Sequence, residues 1–150
     1  MRRGLALLSQ QNATLFVPFL MLALARAEAR TGDIGQALST LDEGLAASER
    51  TSHRAFDAEL YRARGEILLE RHPSNPAPAE EAFKAAIAIA ERQGVRSFGL
   101  RAALSLAKLY QSTARPADVH AVLAPALEGF SPTPEMPEIA EAMSLASRLG

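Results

Sequence analysis

The chain has no cysteine. That removes disulfides, a thiolate nucleophile, and every zinc or iron–sulfur site built on cysteine ligands. The residue types that favour strands are scarce: valine, isoleucine and threonine number 15 in 150 residues. A β-sandwich or a parallel-sheet fold is therefore not expected. An excess of one charge is missing too, with a formal net charge of −1 and both halves near neutral. Neither a nucleic-acid binder nor an acid-tail protein fits that balance. No apolar run approaches the ~20 residues of a membrane-spanning helix; the run Leu15–Ala25 is short and contains Pro18. It follows Arg2-Arg3 and ends in Ala25-Arg26-Ala27, the outline of a secretory signal. Polar Ser9-Gln10-Gln11-Asn12 lies where such a leader is apolar, and Ala-x-Ala arises easily in a chain this rich in alanine. The expectation is a core helix of a cytoplasmic protein, with no membrane partner.

What is present is alanine (30) and leucine (21), the leading helix formers. The length is that of a single domain with a core of its own. Apolar helical stretches alternate with breaks that have local mechanisms. Gly32 and Gly94 suit a left-handed residue just past a helix. Asp33 suits an N-cap, with Gln36 completing a capping box. Pro116 and Pro134 suit a first helical turn, where a missing N–H costs nothing. The pattern predicts helices over 13–31, 34–50, 54–71, 78–93, 96–113, 116–130 and 135–149, preceded by a stub at 3–10. The predicted fold class is all-α, in antiparallel pairs.

The pairs repeat. Small residues suited to close helix crossings fall at Ala25, Gly65 and Ala107 in the first helix of each pair, and at Gly44, Ala86 and Ala126 in the second. The apolar partners Leu41, Phe83 and Leu123, then Leu45, Ile87 and Leu127, keep the same step. With Met21/Leu24/Ala25, Tyr61/Gly65/Leu68 and Ala103/Leu106/Ala107/Tyr110 in the first helices, the chain resembles the tetratricopeptide repeat (TPR) family. The second helices supply Ala37/Leu41/Gly44, Ala79/Phe83/Ala86 and Val119/Leu123/Ala126. Arg64 at an apolar place and Glu28 at the tyrosine place depart from the family's pattern, as does a period of about 40 in place of 34. The resemblance implies a right-handed superhelix of stacked helix pairs, with repeats at 13–50, 54–93 and 96–130 and a capping helix at 135–149.

The phrases AELYRARGEILLE (58–70), AEEAFKAAIAIAERQGVRSFGLRAALSLAKLY (79–110) and HAVLAPALEGF (120–130) add a narrower resemblance. They look like the C-terminal repeat region of large bacterial signalling proteins that combine a cyclase-like or DNA-binding domain, a P-loop ATPase and TPR-like repeats. This implies a bacterial regulatory setting; no cyclase or ATPase residues are present to carry over. Residues 1–12 read as the remnant of a preceding second helix, which leaves an apolar flank that a neighbouring repeat would cover.

Motifs for chemistry are absent: there is no P-loop, dinucleotide fingerprint, H-E-x-x-H or G-x-S-x-G. His53 and Asp57, four apart, make too few ligands for a metal site. Glu80-Glu81 suit the dipole of a first helical turn better than an acid–base dyad. The expectation is a protein that is not an enzyme and takes no cofactor or metal. By the family's pattern the first helices line a concave groove with Arg26, Arg30, Glu59, Arg62, Glu66, Glu70, Arg101, Lys108 and Gln111. That face reads either as a partner-binding groove for a peptide or helix, or as an ordinary solvated surface with i,i+4 pairs. At the places where some family members hold chaperone tails with a Lys/Asn/Arg clamp, this chain has Leu22, Arg26, Ala63, Arg101 and Ser105, at most a partial clamp, so chaperone-tail binding is not expected. The alternative function is a regulatory or dimerisation fragment of a larger cyclase-like or ATPase signalling protein. Leu5, Leu7 and Leu8 with Leu15, Phe16, Phe19 and Leu20 predict an uncovered apolar surface and a homodimer through the N-terminal end.

Overall fold

A computed structural model of the chain describes residues 16–130 and 136–149. These form seven α-helices and no sheet: α1 Val17–Arg30, α2 Ile34–Thr51, α3 Asp57–Arg71, α4 Ala77–Gln93, α5 Arg96–Ser112, α6 Pro116–Leu127 and α7 Pro137–Leu149. The expected all-α class is observed. The predicted stub at 3–10 and Pro134 lie outside the described residues.

The breaks work as their residues suggest. Gly32 and Gly94 take φ of +87° and +69°, a conformation glycine adopts without a Cβ penalty. Asp33 Oδ1 accepts the Gln36 N–H at 3.2 Å and caps α2. Pro116 opens α6. Most boundaries between described residues fall within one residue of expectation, and two differ by three. The helix predicted over 54–71 begins only at Asp57. Ser52, left-handed at φ +59°, closes α2, and the buried Ser48 hydroxyl bonds the Asp57 carboxylate while standing 3.0 Å from the His53 carbonyl oxygen. The helix predicted to run to 130 stops at Leu127: Glu128 turns extended, and its carbonyl accepts a hydrogen bond from Arg96.

Each helix packs on the next in the chain, and the odd-numbered helices α1, α3, α5 and α7 also touch in succession. No comparable series joins α2, α4 and α6. Helix α3 sits centrally, against α1, α2, α4 and α5. It therefore buries residues around much of its circumference, Asp57, Ala58, Glu59, Leu60, Ala63, Gly65 and Ile67, and lacks the single apolar stripe of an outer helix. Helix α6 is the contrast, burying only Val119 and Leu123. The core has two parts. One is built by α1–α3 around Leu22, Leu41 and Leu60. The other is built by α4–α7 around Phe83, Leu100, Leu123 and Ile139, and Leu68 packs against both.

Five of the six small residues are buried at helix contacts, and Ala126, only half-buried on the lightly packed α6, is the exception. Ala25, Ala86 and Ala107 have no exposed surface. A Cβ on Gly65 would meet the Phe83 ring, and one on Gly44 would meet Met21 and Leu60. Leu41, Phe83 and Leu123 are all fully buried, whereas Leu45, Ile87 and Leu127 are all half-buried, so each set of apolar positions shares one environment. Glu28, in the tyrosine place, accepts the buried Thr40 hydroxyl at 2.6 Å and ties α1 to α2. Arg64 reaches back to pair with Asp42 on α2.

Candidate functional site

The odd-numbered helices share a face crossed by charged side chains, and its centre is Glu59. The Glu59 side chain is only 5% exposed. Such burial is tolerated only for a paired charge. Arg62, one turn further along α3, supplies the pairing as a fork: Nε donates to Oε1 at 3.0 Å and Nη2 to Oε2 at 2.8 Å. Its remaining Nη1 donates to Glu66 Oε1 at 2.6 Å. Burial opposes the charge on Arg62, but the Glu59 bond and the fields of Glu66, Glu59 and Glu138 outweigh it and hold the guanidinium protonated.

Two further arginines reach Glu59 from the flanking helices, Arg26 of α1 at 3.6 Å and Arg101 of α5 at 3.9 Å. Each is about two-fifths exposed, and neither hydrogen-bonds the carboxylate. Arg101 Nε is buried without a hydrogen bond and forms only an ion pair, at 3.4 Å, with Glu138 Oε1 on α7. Lys108, two turns along α5, pairs with Glu141 of α7 at 2.6 Å. One row of charges thus spans four helices, with basic and acidic groups in near balance.

The row borders two depressions. The first, about 340 Å³, is lined by Arg62, Glu66, Arg101, Leu104, Ser105, Lys108, Glu138 and Glu141 between α3, α5 and α7. The second, about 400 Å³, lies between α1 and α3 and is lined by Arg26, Ala29, Arg30, Ala63, Glu66, Ile67 and Glu70. Of the residues expected in a groove, Arg26, Arg30, Arg62, Glu66, Glu70, Arg101 and Lys108 are brought together here. Glu59 lies beneath them as the buried anchor. Gln111, exposed near the end of α5, lines neither depression. Glu138 and Glu141 were not expected. Their signal is acids three apart on α7, facing cations seven apart on α5, and it becomes readable only once α7 is placed beside α5.

Other sites weighed from the residues take structural places. Asp57 is buried against Ser48, and His53 precedes α3, so the two do not share a helical face. Glu80 ties α4 to the end of α5, as Tyr110 Oη donates to it at 3.0 Å and Arg115 at 3.0 Å. Among the described residues no group of three or more potential metal ligands gathers, and no helix is long and apolar enough to cross a membrane.

Of the residues expected at an uncovered flank, Leu5, Leu7, Leu8 and Leu15 lie outside the described residues, and Leu20 is half-buried. Phe16 and Phe19 are exposed at 60% and 46%. Phe19 meets Phe56 with ring centres 5.4 Å apart, and Phe56 meets Phe98 at 6.4 Å, both pairs tilted, giving a row of rings along the starts of α1, α3 and α5. No family model matches the chain, and no curated protein matches it.

Proposed function

We propose that the protein is a non-catalytic, TPR-like interaction module of a bacterial regulatory system in the cytoplasm, which binds a partner peptide or helix on the face of its odd-numbered helices. The observation that carries this reading is the charged row centred on Glu59, which presents Arg26, Arg101 and Lys108 partly exposed along three of those helices' contacts. Contacts in series on that side and not among α2, α4 and α6 support a stack that curves toward the odd-numbered helices, as a right-handed superhelix does. Repeat boundaries at 13–50, 54–93 and 96–130 with a capping helix belong to the same proposal. A concave face with fixed polar groups is what a peptide-binding surface requires.

Selection of displayed peptides on the purified protein tests it. Selected peptides should lose affinity in Arg101→Glu and Lys108→Glu and keep it in Lys84→Glu, which changes the α4 surface. Binders indifferent to Arg101 and Lys108 would remove the groove reading.

A second reading is favoured by Phe16 and Phe19: self-association through the N-terminal end, as in a regulatory or dimerisation fragment of a larger signalling protein. Two large exposed aromatics continuous with a ring row are the kind of apolar patch that interfaces use.

A further inference from the structure

The depression between α1 and α3 has walls of opposite charge. Helix α1 contributes Arg26 and Arg30, and helix α3 contributes Glu66 and Glu70. Both pairs are four residues apart, so each stacks on one side of its helix. Between them the floor is apolar, with Ala63 and Ile67 buried. The two walls do not neutralise each other. Arg26 leans toward Glu59, and Glu66 is taken through Oε1 by Arg62. Arg30 and Glu70 are exposed and pair with nothing among the described residues.

The far end of the same face shows what such walls accept. There the cations of α5 are answered by a helix of the chain itself. Glu138 and Glu141, three apart on α7, meet Arg101 and Lys108. Helix α7 thus seats acids on a cationic wall. On α1 only Arg26 is met by an acid, Glu59 of α3, and its cations stand four apart instead of seven, so Arg30 is left to an outside partner.

We infer that the slot between α1 and α3 takes a bipolar peptide segment, with acidic side chains along one edge against Arg26 and Arg30 and basic side chains along the other against Glu66 and Glu70, small residues facing the floor. This rests on the groove reading above and names the chemistry of its partner. A uniformly acidic tail meets Glu66 and Glu70 as like charges, and a uniformly basic one meets Arg26 and Arg30. The slot rejects both by repulsion while attracting the mixed segment, so charge decides specificity as well as affinity.

The test uses three fluorescein-labelled, alanine-based helical peptides of equal length, read by anisotropy at low and moderate salt. One carries glutamates at i and i+4 and lysines at i+2 and i+6, which puts the two signs on opposite edges of a helix. The others carry glutamate or lysine at all four positions. The bipolar peptide should bind most tightly, and Arg30→Glu or Glu70→Arg should each weaken it about three- to fivefold, the scale of an exposed ion pair. The same changes should help the matching uniform peptide: Glu70→Arg should strengthen the all-glutamate one, and Arg30→Glu the all-lysine one. Added salt should flatten all of these differences. An all-glutamate peptide that binds as well as the bipolar one, indifferent to Glu70→Arg, overturns the bipolar slot and leaves the groove standing. If none of the three peptides binds and selected peptides ignore Arg101 and Lys108, both readings fall.

Discussion

Gly65 faces the Phe83 ring so closely that a Cβ would stand 2.5 Å from Cε1 and 2.7 Å from Cδ1. Phe83 is itself buried in the core, so its ring has nowhere to retreat. Gly65→Leu should therefore cost about 1–3 kcal/mol or more through overpacking. Urea unfolding reads that loss, and Phe83→Leu in the same chain should return part of it, as contacting residues couple. Unchanged stability in Gly65→Leu would mean that α3 and α4 do not cross there. Gly44→Ala should be milder, because its Cβ would stand 3.1 Å from Met21 Cβ and 3.3 Å from Leu60 Cδ2, an overlap of a few tenths of an ångström where Gly65 faces a ring at 2.5 Å. Ala114 poses the opposite case. It holds φ +56°, which costs an L-residue about 1–2 kcal/mol. Ala114→Gly should raise stability by about 0.5–1 kcal/mol, visible as a higher urea midpoint.

At the scale of elements, Glu80 fastens the first turn of α4 to the C-terminal end of α5. Lys84 holds its carboxyl below the usual carboxylate range, helped by Tyr110 and Arg115 and opposed by burial. A lowered folded value means that this stabilisation is complete above the unfolded value and is lost as pH falls through the folded one. Thermal melts from about pH 7 down to about pH 3 should thus show an acid-side loss that Glu80→Gln reduces. Tyr110 behaves with the other sign. Burial and Glu80 raise its phenol, so the neutral form is favoured, and its contribution is lost only as pH rises through the raised value. An acid limb identical in Glu80→Gln and wild type would show that the tie contributes nothing.

For the whole molecule, the buried carboxylate of Glu59 links α1, α3 and α5, and Arg101 extends the link to α7. Glu59→Gln removes the anion and leaves Arg62, only 14% exposed, with a single carboxylate partner. Breaking a fully buried pair costs about 3–5 kcal/mol; here Arg26 and Arg101 reach water, so about 2–3 kcal/mol is expected, checked by urea unfolding. The odd-numbered face should loosen with it, seen as faster amide exchange in α1 and α5. Self-association belongs to this scale as well. With net charge −1 there is little repulsion to oppose it. Sedimentation at micromolar concentration should show a dimer that Phe16→Glu and Phe19→Glu shift toward the 16.0 kDa monomer. A wild-type monomer ends that reading.

The sequence by itself determined the helices, most of their ends and the places where they must come close. Those features are local: alanine and leucine set propensity, Gly32, Gly94, Asp33 and Pro116 set breaks, and Gly44 and Gly65 leave room where a neighbour presses in. The charged side chains of α1, α3 and α5 were also legible as a shared face, because helical spacing aligns them. What only the tertiary structure decided is how those charges divide. Whether a carboxylate is an anchor or a ligand-facing group depends on burial and on partners from other helices, and no spacing rule encodes that. Glu59 and Glu66 sit seven residues apart on one helix, yet the first is sealed beneath three arginines and the second borders open slots. Glu138 and Glu141 joined the face only because α7 packs beside α5, a contact between elements distant in the chain.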